Sequence, residues 1–266
     1  MPPVLVDTHA HLDDPRFDAD RAAVLARARA AGVEQVLCIA TTAATSQRCV
    51  ELAQTHPTLW ATVGIQPNHV AEVAVGDWDE VVRLASAPRV VALGETGLDR
   101  HWDFTPFPAQ EDYFVRHLEL GRERGIPVVI HSRKAGPDVV RVLRREWATA
   151  AGTGVMHSFT EDEATLAACL ELGLYISFAG MLTYKKSEEL RLLARSVPLE
   201  RLLVETDSPY LVPDPSRGRQ KRNEPAETIH TAACLAAVQG ITLEELAQVT
   251  TANARRLFGL PSEFTA

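Results

Sequence analysis

Eight short apolar runs rich in β-branched residues, alternating with segments of helical periodicity, constrain this chain more than any other feature. They are VLVDTH from Val4, QVLCIA from Gln35, WATVGI from Trp60, VVALGE from Val90, PVVIH from Pro127, GVMH from Gly154, LYISFA from Leu174 and LLVETD from Leu202. Nearly continuous apolar runs suit parallel strands with helices on one face and a packed interior on the other. Helix-like stretches such as RAAVLARARAAG, AQEDYFVRHLELGRERG and DEATLAACLELG lie between them, and a glycine closes several as a C-cap. Eight βα units in 266 residues match an α/β fold of the (β/α)8 TIM-barrel type in count and length. An open doubly wound sheet usually has fewer strands and leaves two edges to protect. No Ser/Gly linker, compositional shift or repeat interrupts the pattern, so residues 1–266 are expected to form a single barrel domain.

Composition narrows the setting. With 46 % hydrophobic and 23 % charged residues the chain is ordinary for a soluble globular protein. The N-terminus lacks a basic region followed by a long apolar stretch, and no run approaches a membrane span. Cys38, Cys49, Cys169 and Cys234 are scattered without a C-x-x-C pair, which argues against a disulfide framework or a thiolate metal site. A reducing cytoplasm is the expected location. The formal net charge of −8 excludes a broad basic face that coats nucleic acid, while leaving room for a local basic site. The segment SPYLVPDPSRGRQKRNEP after the eighth run supplies such a cluster, in a loop long enough to carry function.

Metal-capable residues stand at the C-terminal ends of five runs: His9 and His11 on the first, Glu95 on the fourth, His131 on the fifth, His157 on the sixth and Asp207 on the eighth. Residues two apart on a strand project from the same face, so His9 and His11 form a chelating pair. In a barrel all these ends meet on the rim that carries active sites. Four imidazoles and two carboxylates exceed the needs of one tetrahedral zinc, and two divalent ions fit better. Either Glu95 or Asp207 could bridge them. Of the remaining histidines, His56, His117 and His230 sit in helical patterns, whereas His69 and His101 follow strands and can reach a rim.

With those residues in view, the chain resembles the TatD family of metal-dependent deoxyribonucleases, within the amidohydrolase-like barrels. The likeness rests on DTHAHLD at 7–13, GETGLD at 94–99, IHSR at 130–133, MHSF at 156–159, ETDSPYL at 205–211 and RNEP at 222–225. It implies that His9 and His11 hold one metal, His131 and His157 the other, that Glu95 bridges, and that Asp207 is the acid beside the attacking water. It further implies a 3′ to 5′ exodeoxyribonuclease acting on DNA, at single-stranded or 3′ ends. Many relatives carry GxHP after the third strand, but here Gln66 takes the histidine position, with His69 three residues on. HSFTE replaces the common HCFSG, and Lys134 stands where an aspartate is frequent. These departures lie at substrate positions, together with Arg133, Arg217 and Arg219, whose guanidinium groups suit phosphate oxygens.

Catalytically the pattern calls for Glu95 and Asp207 acting with two divalent metal ions, Mg, Mn or Zn, to activate a water against a phosphodiester. Four imidazoles favour Mn or Zn, whereas the resemblance implies Mg. The competing expectation is an amidohydrolase or lactonase acting on a small amide or ester. Many of those bridge their metals with a lysine from the fourth strand, where this chain offers Glu95.

Overall fold

The computed structural model describes residues 2–148 and 152–262. Eight strands follow in chain order: β1 (Leu5–Ala10), β2 (Val33–Cys38), β3 (Leu59–Val63), β4 (Val90–Asp99), β5 (Val128–Arg133), β6 (Gly154–Met156), β7 (Tyr175–Phe178) and β8 (Leu202–Val204). The helices are α1 (Arg21–Ala30), α2 (Ala43–Thr55), α3 (Asp77–Leu84), α4 (Phe107–Arg124), α5 (Gly136–Glu146), α6 (Glu163–Glu171), α7 (Glu188–Ser196), α8 (Thr228–Gln239) and α9 (Leu243–Phe258). Strand order in the sheet is chain order, β1 to β8, and the fold class is the expected (β/α)8 TIM barrel.

The chain divides into two compact units, one formed by Met1–Cys38 with Ile176–Ala266, the other by Ile39–Tyr175. The discontinuous unit brings the ends of the chain together. β1 pairs in parallel with β2 (Leu5 opposite Val33), and β7 with β8 (Ile176 opposite Leu202). A bridge between Ala10 and Ser208 joins the end of β1 to the segment leaving β8. Thr8 Oγ donates to the Val204 carbonyl at 3.0 Å, and the Asp207 N–H donates to the His9 carbonyl at 2.8 Å. α9 starts with a capping box, in which Thr242 and Glu245 satisfy each other's backbone N–H, and ends at left-handed Gly259.

The long loop after β8 is tied down within this unit. The Asn223 side chain donates to the Thr206 carbonyl, and Ser216 donates to Glu227 at 2.6 Å. Arg222 forms a two-pronged ion pair with Asp20 at 2.8 Å on each arm, so this cation holds the loop to the start of α1.

In the contiguous unit, β3, β4, β5 and β6 pair successively in parallel, with Val63 opposite Leu93, Gly97 opposite His131 and Ile130 opposite Met156. The strand interiors are buried, which is why their sequences read as apolar runs without alternation. β4 continues beyond the expected VVALGE to Asp99, carried by Gly94 and Gly97, both at positive φ. A Cβ at Gly97 would run into the His131 carbonyl, so this glycine is what lets β4 and β5 approach at the level of the functional residues.

Candidate metal centre

In the discontinuous unit β1 carries Asp7 and His9, and His11 follows directly after its last residue, Ala10. Asp7 is buried and accepts from the N–H groups of His9 (3.2 Å) and Thr206 (2.9 Å) and from the Thr206 hydroxyl (2.6 Å). Burial pushes its carboxyl up to about 7, against the opposing pull of the Thr206 and His9 hydrogen bonds. These bonds fix β1 to the segment that presents Asp207. Asp207 adopts φ 55°, the left-handed region that aspartate tolerates better than most residues. Its Oδ1 lies 3.4 Å from His11 Nε2 and 3.7 Å from His9 Nε2, and the two Nε2 atoms are 3.3 Å apart.

A second cluster of the same composition stands in the contiguous unit. Glu95 Oε1 lies 2.7 Å from His131 Nδ1 and 3.2 Å from His157 Nε2, with those two nitrogens 3.4 Å apart. The other ring nitrogen of His131, Nε2, is 3.2 Å from Asp99 Oδ2. Burial lowers the basicity of this imidazole, but the hydrogen bonds to Asp99 and Glu95 outweigh it, and His131 is held above the usual histidine range. Desolvation works the other way on Asp99, yet His131, the Asn68 amide and the Trp102 N–H together hold it well below the usual carboxylate range.

Both clusters fit a divalent ion. Ligands about 2.1 Å from one cation lie roughly 3–3.5 Å from each other. Most nitrogen–nitrogen and nitrogen–oxygen separations within the clusters are 3.2 to 3.7 Å, whereas Glu95 and His131 Nδ1 stand at 2.7 Å, a hydrogen-bond distance, and His9, His11 and Asp207 each offer a donor atom close to the other two. The chemistry of the donors agrees: two imidazoles and one carboxylate suit Zn or Mn, and the carboxylate also suits Mg.

The structure thus brings the six expected ligands into two groups of three. The expected substrate residues are placed variously. Gln66 is nearly buried and its side chain accepts from the Asn68 N–H, capping the turn after β3. His69 is half exposed and meets Glu72 at 3.2 Å. Arg133 lies over the Trp102 ring, 5.6 Å from its centre, and Arg217 over that of Tyr184 at 3.9 Å. Arg219 is exposed.

Sequence reasoning missed Asp99. It accepts from Asn68 Nδ2 (3.0 Å) and from the N–H groups of His101 (2.7 Å) and Trp102 (3.1 Å), besides meeting His131. A signal was available: Asp99 lies four residues after Glu95, an even spacing that returns a strand residue to the same face. The apolar run predicts a strand that stops at Glu95, which leaves Asp99 reading as a loop residue.

A parallel αβ architecture with His₂–carboxylate clusters at strand ends defines a class, the metal-dependent hydrolases built on (β/α)8 barrels. Within that class the chain belongs to the family of TatD-related DNases, whose model matches residues 6–259. It is 43 % identical over 257 residues to the uncharacterized metal-dependent hydrolase YcfH of Escherichia coli strain K12, covering 96 % of this chain and 95 % of that one. It is 38 % identical over 261 residues to the 3′-5′ ssDNA/RNA exonuclease TatD of Erwinia amylovora, covering 96 % and 100 % respectively. Among solved structures, the TatD homologue YJJV of Escherichia coli superposes with a TM-score of 0.90 at 29 % identity, covering 97 % of this chain and 98 % of that one. The chain is a metal-dependent hydrolase of this family. Among the described residues no helix is long and apolar enough to cross a membrane.

Proposed function

We propose that this hydrolase removes nucleotides from the 3′ end of DNA, acting on single-stranded ends in the cytoplasm, and that the whole chain works as one domain. The observation that carries the reading is the doubled His₂–carboxylate arrangement: His9, His11 and Asp207 form one set, and His131, His157 and Glu95 the other. Two such sets would hold two divalent ions, Mn, Mg or Zn, and Glu95 would be the carboxylate that serves both. Support for the substrate comes from the Erwinia relative named as an exonuclease, and support for a single domain from a family match that runs from residue 6 to 259.

When bound, the cations acidify a water and neutralise charge that grows on the phosphoryl oxygens. The chain's own groups supply the rest. Asp207, held at left-handed φ and only partly exposed, takes the proton of the attacking water on a carboxylate oxygen. His131, fixed by Asp99, keeps one ring face constant while Glu95 holds negative charge between the two imidazoles of its cluster. Arg133 is exposed beside this cluster and suits a non-bridging phosphate oxygen.

The test uses single-stranded DNA labelled at either end, incubated with protein that has been stripped by a chelator and reloaded with Mn or Mg. A ladder shortened stepwise from the 3′ end is expected. Asp207→Asn should lower turnover by at least about 10²-fold while the melting temperature of the chelated protein stays near that of the parent. Protein that leaves the oligonucleotide intact but hydrolyses a small ester or lactone under the same conditions overturns the reading in favour of an amidohydrolase or lactonase.

A further inference from the structure

The loop that leaves β4 carries three aromatic side chains in four residues, His101, Trp102 and Phe104. Two are large apolar rings left in water: Trp102 is 43 % exposed and Phe104 60 %. They stack on each other with centroids 5.3 Å apart and planes inclined by 13°, and His101 packs edge-on against Trp102 at 4.6 Å. Exposed apolar rings cost free energy in a folded monomer, and a flat stacked pair beside a guanidinium has the composition of a nucleobase site rather than of a packing accident.

The position of the pair is fixed by the metal cluster itself. Asp99 accepts from the His101 and Trp102 N–H groups through Oδ1, and meets His131 Nε2 through Oδ2. One buried carboxylate therefore locks the root of the aromatic loop to a metal-ligating imidazole. Arg133, two residues beyond His131 on β5, sets its guanidinium over Trp102. Arg133 thus joins the two features, following a cluster histidine by two residues and covering one of the exposed rings.

We infer that Trp102 and Phe104 form a stacking platform for an unpaired base next to the bond that is cut. This rests on the nuclease reading and adds to it the origin of strand selectivity. A base inside a duplex already has both faces covered, so a platform of this kind engages single strands and frayed ends only. Because every base has a π-face, it imposes little sequence preference.

The test is a two-by-two comparison of kcat/KM, using metal-loaded full-length protein. One substrate is an ordinary single-stranded oligonucleotide, and the other has abasic residues at its last three 3′ positions. One protein is the parent, and the other carries Trp102→Ala with Phe104→Ala. Removing the bases should cost the parent on the order of 10-fold and the double variant much less, with Trp102→Phe restoring most of the difference. Both rings are exposed, so melting temperatures should agree and exclude misfolding.

Equal losses in parent and variant overturn the platform while leaving the nuclease intact. A variant whose only change is its oligomeric state in light scattering also overturns it, assigning the rings to contact with a second copy. A parent that cuts neither oligonucleotide overturns the platform and the nuclease reading together.

Discussion

A histidine has two nitrogens, and which one can hold a cation depends on where the other puts its proton. At His131, Asp99, whose carboxylate can only accept, keeps a proton on Nε2, so Nδ1, which meets Glu95 at 2.7 Å, is the nitrogen that would take a cation on releasing its own proton. Asp99→Asn keeps the side-chain shape but places an amide that can itself donate beside Nε2, so the tautomer is no longer specified. Metal affinity should fall by about 10- to 100-fold, read by chelator competition with Mn, while the melting temperature of the chelated protein changes little. At this scale the sequence was legible where residue type alone carries meaning. His9, His11, Glu95, His131, His157 and Asp207 are ligand types at strand ends. Asp99, Trp102 and Phe104 were not legible, because their roles come from contacts with His131 and with each other, and neither charge nor aromaticity signals a neighbour.

At the scale of elements, all eight strands were visible because buried parallel strands are written as apolar runs. A glycine ending was visible too, at Gly125 after α4. The length of β4 was not, since of the four residues beyond Glu95 only Leu98 is apolar, and Thr96, Gly97 and Asp99 look like a loop. α4 shows how an element is anchored by a group that reads as an ordinary helix histidine. His117 is buried, accepts from the Ile65 N–H through Nε2 at 3.1 Å and donates Nδ1–H to the Tyr113 carbonyl at 2.6 Å. Burial depresses it to about 4, with the Tyr113 carbonyl opposing and Arg116 reinforcing the shift. Protonation would set two N–H groups against each other at Ile65. Its neutral form therefore contributes stability that is complete above pH 6.5 and is lost as the pH falls towards 4, by up to about 3 kcal/mol. Urea unfolding of chelated protein across pH 4–7 should show that slope. His117→Gln, which has no proton to gain, should flatten it even if it lowers stability at neutral pH.

For the molecule as a whole, many cations of this acidic chain are paired with its own acids. Arg222 and Arg27 bind Asp20 and Glu224, and Arg141 and Arg145 bind Glu111. Arg133 and Arg217 lie on aromatic rings instead. The sequence showed the basic loop but not this division of labour, which depends on which acid lies within reach after folding. The division of the chain has a different kind of consequence. Ile39–Tyr175 is continuous, whereas the other unit needs both Met1–Cys38 and Ile176–Ala266. During synthesis the ribosome releases residues in order, so β3 to β6 can pair with one another while β1 still awaits the β8 segment. The first strand made is thus among the last to be secured, and the interval is a window for proteolysis or chaperone capture of an apolar N-terminal strand. Pulse-labelled hydrogen exchange during refolding should find the amides of β4 and β5 protected before those of β1 and β8. Simultaneous protection would mean that the chain waits for its own end before any of it commits.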